Sequence, residues 1–316
     1  MKQRLTIVFL GLIALCAAPA FAQGPVLLDP AKLRLASANA LVLDASDNRA
    51  IYAKAADEIT PIASLTKLMT AVVVLDAAPS LDEPIEIGIE DLDYLKGTRS
   101  RLNLGTELPR GEMLRLALMS SENRAASSLA RHYPGGTPMF VAAMNAKARA
   151  LGMLHTRYSD PTGLSPDNVS TASDLALLVN AAAQQPLIRE FTTTGSHYVE
   201  VGPTGRVLGF NNTNNLVKNA QWDIQLSKTG YIREAGKCLV MMATIASRPF
   251  VIVLLDSAGK YTRLGDAQRV RYWLETGQTM PMPAVHKAAG KSAKTKGPVT
   301  GSLRPVKFAQ SKAPHG

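Results

Sequence analysis

Hydrophobic and polar positions fall into three blocks along the chain. In the first, Leu41-Val-Leu43 and Ala50-Ile-Tyr52 flank the polar Ser46-Asp-Asn48. That pattern predicts strands over 40–44 and 49–54, joined by a hairpin turn. The second block has helical spacing. An apolar run, Leu68-Met-Thr-Ala-Val-Val-Val-Leu75, predicts a helix that begins near Ser64, with Pro61 suited to its approach. Leu108 to Leu118 is amphipathic, and Ala125 to His132 continues helically until Pro134-Gly-Gly136. Thr137-Pro138 starts a further helix that Gly152 stops, and Thr171-x-x-Asp174 reads as a capping box for a helix to Ala183. The third block returns to strands over 197–201, 206–210, 222–229, 237–246 and 249–255, the last two as a hairpin through Ser247-Arg248. A helix from Asp266 to Thr276 follows. Strands at both ends of a helical middle imply an α+β fold, with an antiparallel sheet whose faces helices cover.

The ends of the chain read differently. Lys2 and Arg4 precede the apolar run Leu5 to Ala18, and Ala20-Phe-Ala22 offers small residues before a cut. Residues 1–22 are therefore expected to be a secretory signal peptide, cleaved after Ala22, and not a membrane span. Cys16 does not fit a lipoprotein signal, because Leu15 stands where a small residue is wanted. With the signal removed, Cys238 is the only cysteine, so the mature chain can form no internal disulfide. Its setting, Cys238-Leu-Val-Met-Met242, is that of a buried packing residue.

Residues 281–316 hold six lysines, one arginine and no acid among Ala, Gly, Ser and Pro, a composition expected to be disordered. This charge changes the picture. Of the formal +10, the tail supplies +7 and the signal +2, which leaves +1 for residues 23–280. A nearly neutral, exported body argues against a nucleic-acid partner. The tail reads either as a strip that lies on anionic membrane or wall polymer, or as a solubilising segment with no partner. Residues 36–280, after a lead-in at 23–35, read as one cooperative domain.

Three fragments carry candidate chemistry. Ser64-Leu-Thr-Lys67 places a hydroxyl and an amine three residues apart, on one helix face. A neutral lysine there can take the serine's proton during attack on a carbonyl. Ser121-Glu-Asn123 follows 57 residues after Ser64, and Lys228-Thr-Gly230 follows 107 residues after Ser121. Each is weak alone. Ser257-Ala-Gly-Lys260 repeats the first spacing but precedes no apolar helix, and Ser46-Asp-Asn48 sits in a turn. Lys67 reads equally as a solvated helix lysine, Ser121 or Asn123 as a helix cap, and Lys228-Thr-Gly230 as an ordinary strand end. Their order and separation give them weight together, and the three resemble the active-site set of penicillin-binding proteins and serine β-lactamases. The five histidines show no ligand spacing and Cys238 cannot complete a zinc site, so neither metal nor cofactor is expected.

With Asp160-Pro-Thr-Gly-Leu-Ser165, Ser170-Thr-Ala172 and Gln225-Leu-Ser-Lys-Thr-Gly230 added, residues 36–282 resemble the low-molecular-mass penicillin-binding proteins of the D-alanyl-D-alanine carboxypeptidase class. Ser120 to Ala126, His132 to Gly136 and Asn212-Thr-Asn-Asn-Leu216 resemble its D-alanyl-D-alanine endopeptidase branch, of the penicillin-binding protein 7 type. The resemblance implies a serine β-lactamase/DD-transpeptidase-like fold, with a five-stranded antiparallel sheet and a helical lobe. It implies Ser64 as nucleophile and Lys67 as its base. Lysine's ordinary pKa of about 10.4 must then fall, through burial and a second cation, a part open to Lys228. Ser121 would relay a proton to the leaving amine. Asn123 would position substrate or hold Lys67. Lys228 and Thr229 would attract a carboxylate, and Gly230 would let the strand approach the ligand. The backbone N–H groups of Ser64 and Tyr231 would receive the oxyanion. Asp160-Pro-Thr-Gly163 is expected to be scaffold.

The implied substrate is peptidoglycan stem peptide in the periplasm, with β-lactams as covalent inhibitors. Cleavage of D-alanyl–diaminopimelate cross-links and removal of a terminal D-alanine use one acyl-enzyme. A chain that ends soon after residue 280, without a folded C-terminal β domain, favours the former. A class A β-lactamase would need a deacylating glutamate in a Glu-x-x-x-Asn loop, yet Asp160 and Asp167 are the only acids from 140 to 173. A catalytically inert wall-binding protein would not need Ser64, Lys67, Ser121 and Lys228 together.

Overall fold

The computed structural model describes residues 27–202, 204–259 and 261–282, which form one compact unit. The expected signal peptide and all but the first two residues of the expected tail lie outside them. β1 (Asn39–Asp44) and β2 (Arg49–Lys54) form the first hairpin. A two-residue strand β3 (Thr60–Pro61) leads through a 3₁₀ turn, Ala63–Leu65, into α1 (Thr66–Asp76). The helical lobe continues with the short hairpin β4 (Pro84–Glu86) and β5 (Glu107–Pro109), then α2 (Arg110–Met119), α3 (Asn123–Arg131) and α4 (Gly136–Ala150). β6 (Val169–Ser170) pairs with β3, and α5 (Ala172–Ala182) and α6 (Pro186–Thr193) complete the lobe. A separate hairpin, β7 (Ser196–Val201) and β8 (Arg206–Asn211), precedes β9 (Asp223–Ile232), β10 (Gly236–Ile245), β11 (Arg248–Ser257) and α7 (Thr262–Thr276).

The main sheet has five strands in the order β2-β1-β11-β10-β9, and every described pairing in it is antiparallel. Chain-distant β1 and β11 therefore meet at the centre, and β9 forms an edge. Both faces are covered, which explains why the central strands read as unbroken apolar runs. Along β10 and β11, Cys238, Val240, Val251, Val253 and Leu255 face the helical lobe. Leu239, Met241, Phe250, Ile252 and Leu254 face α7 and the lead-in residues Leu33 and Leu35. Burying one such aliphatic side chain contributes about 1.5–3 kcal/mol, so the two faces hold the sheet as a rigid floor. Among the described residues, no helix is long and apolar enough to cross a membrane.

Four local expectations are corrected. The pattern missed α6, an eight-residue helix with Pro186 at its start and Ile188 and Phe191 buried; eight residues show too few turns for a period. β9 runs on to Ile232, because Tyr231 and Ile232 pair with Lys237 and Gly236, so Lys228-Thr-Gly230 is mid-strand. The β10–β11 turn centres on Ala246 and Ser247, both at positive φ as a tight primed turn requires, one residue earlier than expected. Ser121 does not cap α3: Glu122 holds the cap position, without a side-chain cap bond.

Candidate active site

α1 is the buried axis of the helical lobe. Every residue from Thr66 to Val74 is buried, and Lys67 is only 1% exposed. A helix buried on all sides must satisfy any polar group it carries. Lys67 does so through three oxygens. Its Nζ lies 2.7 Å from Asn123 Oδ1, 2.6 Å from the Thr162 carbonyl and 3.1 Å from Ser64 Oγ. The first two accept and cannot donate. A neutral amine has two protons and one lone pair. With both protons held by Asn123 and Thr162, the lone pair is left facing the Ser64 hydroxyl.

Burial favours that neutral form. It pulls the Lys67 ammonium down to about 8, although the charges of Asp160, Glu122 and Asp93 oppose it. At pH 7 roughly one amine in ten is then neutral, against roughly one in three thousand for an ordinary lysine. Burial acts as expected, and only the added contribution expected of Lys228 is corrected. Lys67 has three carboxylates in its surroundings, so desolvation does the work. The repulsion between the two amines falls instead on Lys228, which is pushed well down by burial first, then by Lys67 and Arg263.

Ser64 itself sits in the 3₁₀ turn, pinched between two glycines. On one side Gly163 has φ +80°, and a Cβ there would lie 2.0 Å from the Ala63 carbonyl oxygen. On the other, a Cβ at Gly230 would lie 2.9 Å from the Ile62 oxygen and 3.2 Å from the Ser64 nitrogen. The edge strand β9 thus passes directly over the serine's amide. Ala63, between them, is held at φ +49°, and Ser121 at φ +61°. Such left-handed non-glycine residues cost about 1–2 kcal/mol each and persist only where packing imposes them.

Lys228 projects from β9 beneath the cleft floor and donates to Ser121 Oγ and to the Thr229 carbonyl, both at 2.9 Å. Thr229 Oγ1 donates to Thr213 Oγ1 at 2.7 Å. Above them opens a cleft of about 450 Å³, lined by Ser64, Ser121, Asn123, Thr229, Gly230 and Tyr231, with Lys67 and Lys228 buried under it. All the residues singled out from the three fragments therefore converge. The decoys do not: Ser257 Oγ is buried 2.6 Å from Ser37 Oγ, and Ser46 to Asn48 form the β1–β2 turn. The Cys238 thiol is buried and raised to about 11, an unreactive packing group.

Sequence reasoning missed several participants. Asp160-Pro-Thr-Gly163 is more than scaffold, because its Thr162 carbonyl holds Lys67. Asp160 shapes that loop by accepting from the N–H groups of Thr162, Gly163 and Ser165. Arg263 lines the cleft and donates to the Gly230 carbonyl at 3.1 Å. Thr98 and Thr213 also line it. A backbone carbonyl leaves no composition signal, and an arginine on a distant helix leaves no spacing signal. Among the described residues, no group of three or more His, Cys, Asp or Glu is placed to hold a metal ion.

Residues 28–259 match the D-alanyl-D-alanine carboxypeptidase family of peptidases. The chain belongs to this family of serine peptidases. The peptidase is 52% identical over 259 residues to a D-alanyl-D-alanine endopeptidase of Pseudomonas aeruginosa, covering 82% of this chain and 84% of that one. It is 50% identical to the D-alanyl-D-alanine endopeptidase of Escherichia coli, covering 79% and 81%. Among solved structures it is similar to the Streptomyces K15 DD-transpeptidase, with a TM-score of 0.71 at 26% identity over 77% of this chain and 98% of that one. It is also similar to the ampicillin-bound penicillin-binding protein D2 of Listeria monocytogenes, with a TM-score of 0.64 at 29% identity over 75% and 96%. The DD-transpeptidase-like fold expected from the sequence is the fold observed.

Proposed function

We propose that this serine peptidase is a periplasmic endopeptidase that hydrolyses D-alanyl–diaminopimelate cross-links between peptidoglycan stems. The observation that carries the reading is the Lys67 amine. It is desolvated, with two acceptor oxygens drawing its protons away and Ser64 at 3.1 Å on the open side. Ser64 Oγ attacks the D-alanyl carbonyl and passes its proton to Lys67. The oxyanion is received by the N–H groups of Ser64 and Tyr231, each such donor being worth about 10²–10³ in rate. Ser121 hands a proton to the departing amine. Lys228, which donates to Ser121 Oγ, completes the proton path and attracts the substrate carboxylate with Thr229. Gly230 keeps the strand close to the bound peptide. Water then releases the acyl group from Ser64.

A penicillin enters the same step: its ring carbonyl esterifies Ser64 and the ring nitrogen takes the proton. The opened ring stays tethered, so the acyl-enzyme persists. The relatives at about half identity, named endopeptidases, support a cross-link as the bond cut. Residues 1–22 direct export and are removed, and the basic segment 281–316 rests on anionic membrane or wall polymer; the composition of each supports this. When purified enzyme is given a cross-linked muropeptide dimer and a pentapeptide monomer in competition, the dimer should disappear first. Preferential loss of the pentapeptide would assign a carboxypeptidase instead.

A further inference from the structure

We infer that Asp93 and Thr98, in the loop between β4 and β5, position the base of this site by fixing which end of the Asn123 amide faces Lys67. The inference rests on the reading of Lys67 as the base for Ser64. The loop lies at the cleft mouth, and Thr98 lines the cleft beside Asn123. Thr98 Oγ1 donates to Asp93 Oδ2 at 2.7 Å. Asp93 accepts and does not donate: its oxygens also receive the backbone N–H groups of Leu95, Lys96 and Thr98. The single hydroxyl proton of Thr98 is therefore committed to the carboxylate. Towards Asn123 the threonine can only accept, and it does so from Nδ2 at 3.0 Å.

That polarity propagates. With its nitrogen end drawn to Thr98, the Asn123 amide turns its oxygen to Lys67, where Oδ1 accepts at 2.7 Å. In the flipped orientation, Asn123 Oδ1 would face Thr98 Oγ1 with no proton between them. Its NH₂ group would then face Lys67. An N–H directed at a neutral amine occupies the lone pair that Ser64 requires. The carboxylate of Asp93 thus selects the orientation of the catalytic lone pair through two intervening side chains. Asp93 and Thr98 touch no reacting atom, and they are positioning residues.

The loop has further anchors, which makes the idea testable without dismantling it. Ser100 donates to Glu122, Arg101 donates to the Gly209 carbonyl, and Lys96 pairs with Glu234 at 2.7 Å. Thr98→Val keeps the shape and removes only the hydroxyl. The methyl that stands in its place neither accepts from Asn123 nor donates to Asp93, so the selection is lost. The charged groups around Lys67 are Asp160, Glu122, Asp93 and Lys228. This substitution removes none of these charges; it takes one hydrogen bond from Asp93, whose carboxylate keeps the N–H groups of Leu95, Lys96 and Thr98.

The experiment measures the second-order rate of benzylpenicillin acylation against pH for the mature chain and for Thr98→Val, Thr98→Ser and Ser64→Ala. In Thr98→Val the alkaline plateau should fall about 10-fold, within what a misplaced group can cost. Its midpoint should move to lower pH, because an N–H facing Lys67 disfavours the ammonium. Thr98→Ser should restore both. If Thr98→Val keeps the native rate and midpoint, or if Thr98→Ser is as slow as valine, the inference is overturned while the Ser64 reading stands. If Ser64→Ala acylates like the native chain, the reading on which it rests fails.

Discussion

Replacing Lys67 by methionine is expected to slow acylation of Ser64 by penicillin about 10²–10⁴-fold, the range a positioned general base contributes. Lys67→Arg should be as slow, since a guanidinium stays protonated and offers no lone pair. The pH profile separates chemistry from binding. Because burial lowers the lysine, the native rate should climb as the ammonium deprotonates and reach half its plateau near pH 8. In Lys67→Met that limb should vanish, leaving a low, flat rate. The protein should remain folded. Removing the amine leaves two buried acceptors, Asn123 Oδ1 and the Thr162 carbonyl, without their donor, at about 1–3 kcal/mol each. It also removes the penalty of burying a group whose pKa falls from 10.5 to about 8, on the order of 3 kcal/mol. The two terms oppose and are of similar size. A Lys67→Met profile that keeps the native midpoint would exclude Lys67 as the base.

Gly163→Ala should be among the most destabilising single-methyl changes in the molecule. Its φ of +80° costs an alanine about 1–2 kcal/mol. The new Cβ would also meet the Ala63 carbonyl oxygen at 2.0 Å, and both contacting groups are backbone with no rotamer to yield. Overpacking adds about 1–3 kcal/mol, for a loss of about 2–5 kcal/mol by denaturant unfolding. Gly205→Ala is the control, with φ +63° and nothing within 4 Å, so it should show the backbone cost alone. The alanine at 163 should also slow acylation, because relief of the clash moves Thr162 away from Lys67. Equal stability losses at 163 and 205 would mean that the close approach is not imposed.

The elements that stand on long apolar periodicity were legible from the chain: α1, α2, α4, α5 and the paired strands β10 and β11. So was the convergence of Ser64, Ser121 and Lys228, because a serine-x-x-lysine before a buried helix and a Lys-Thr-Gly in a strand leave little freedom once both belong to one sheet-and-lobe body. Spacing could not reveal what depends on backbone atoms and on edges. The Thr162 carbonyl that holds Lys67 has no side-chain signature. Gly163 and Gly230 look like turn and strand glycines until the turn between them is seen. Burial was a legible source of the Lys67 shift, but the help expected from a second cation was not the cause, because the sequence hides the carboxylates of Asp160, Glu122 and Asp93, which outnumber Lys228 around Lys67.

One measurement tests the central chemistry most directly: peptide mapping by mass spectrometry after brief exposure of the mature chain to benzylpenicillin, beside Ser64→Ala. A single penicilloyl adduct on the peptide containing Ser64, absent from the alanine variant, is the result expected of a serine whose proton Lys67 removes. An adduct on Ser121 or Ser257, or one that survives in Ser64→Ala, would contradict it.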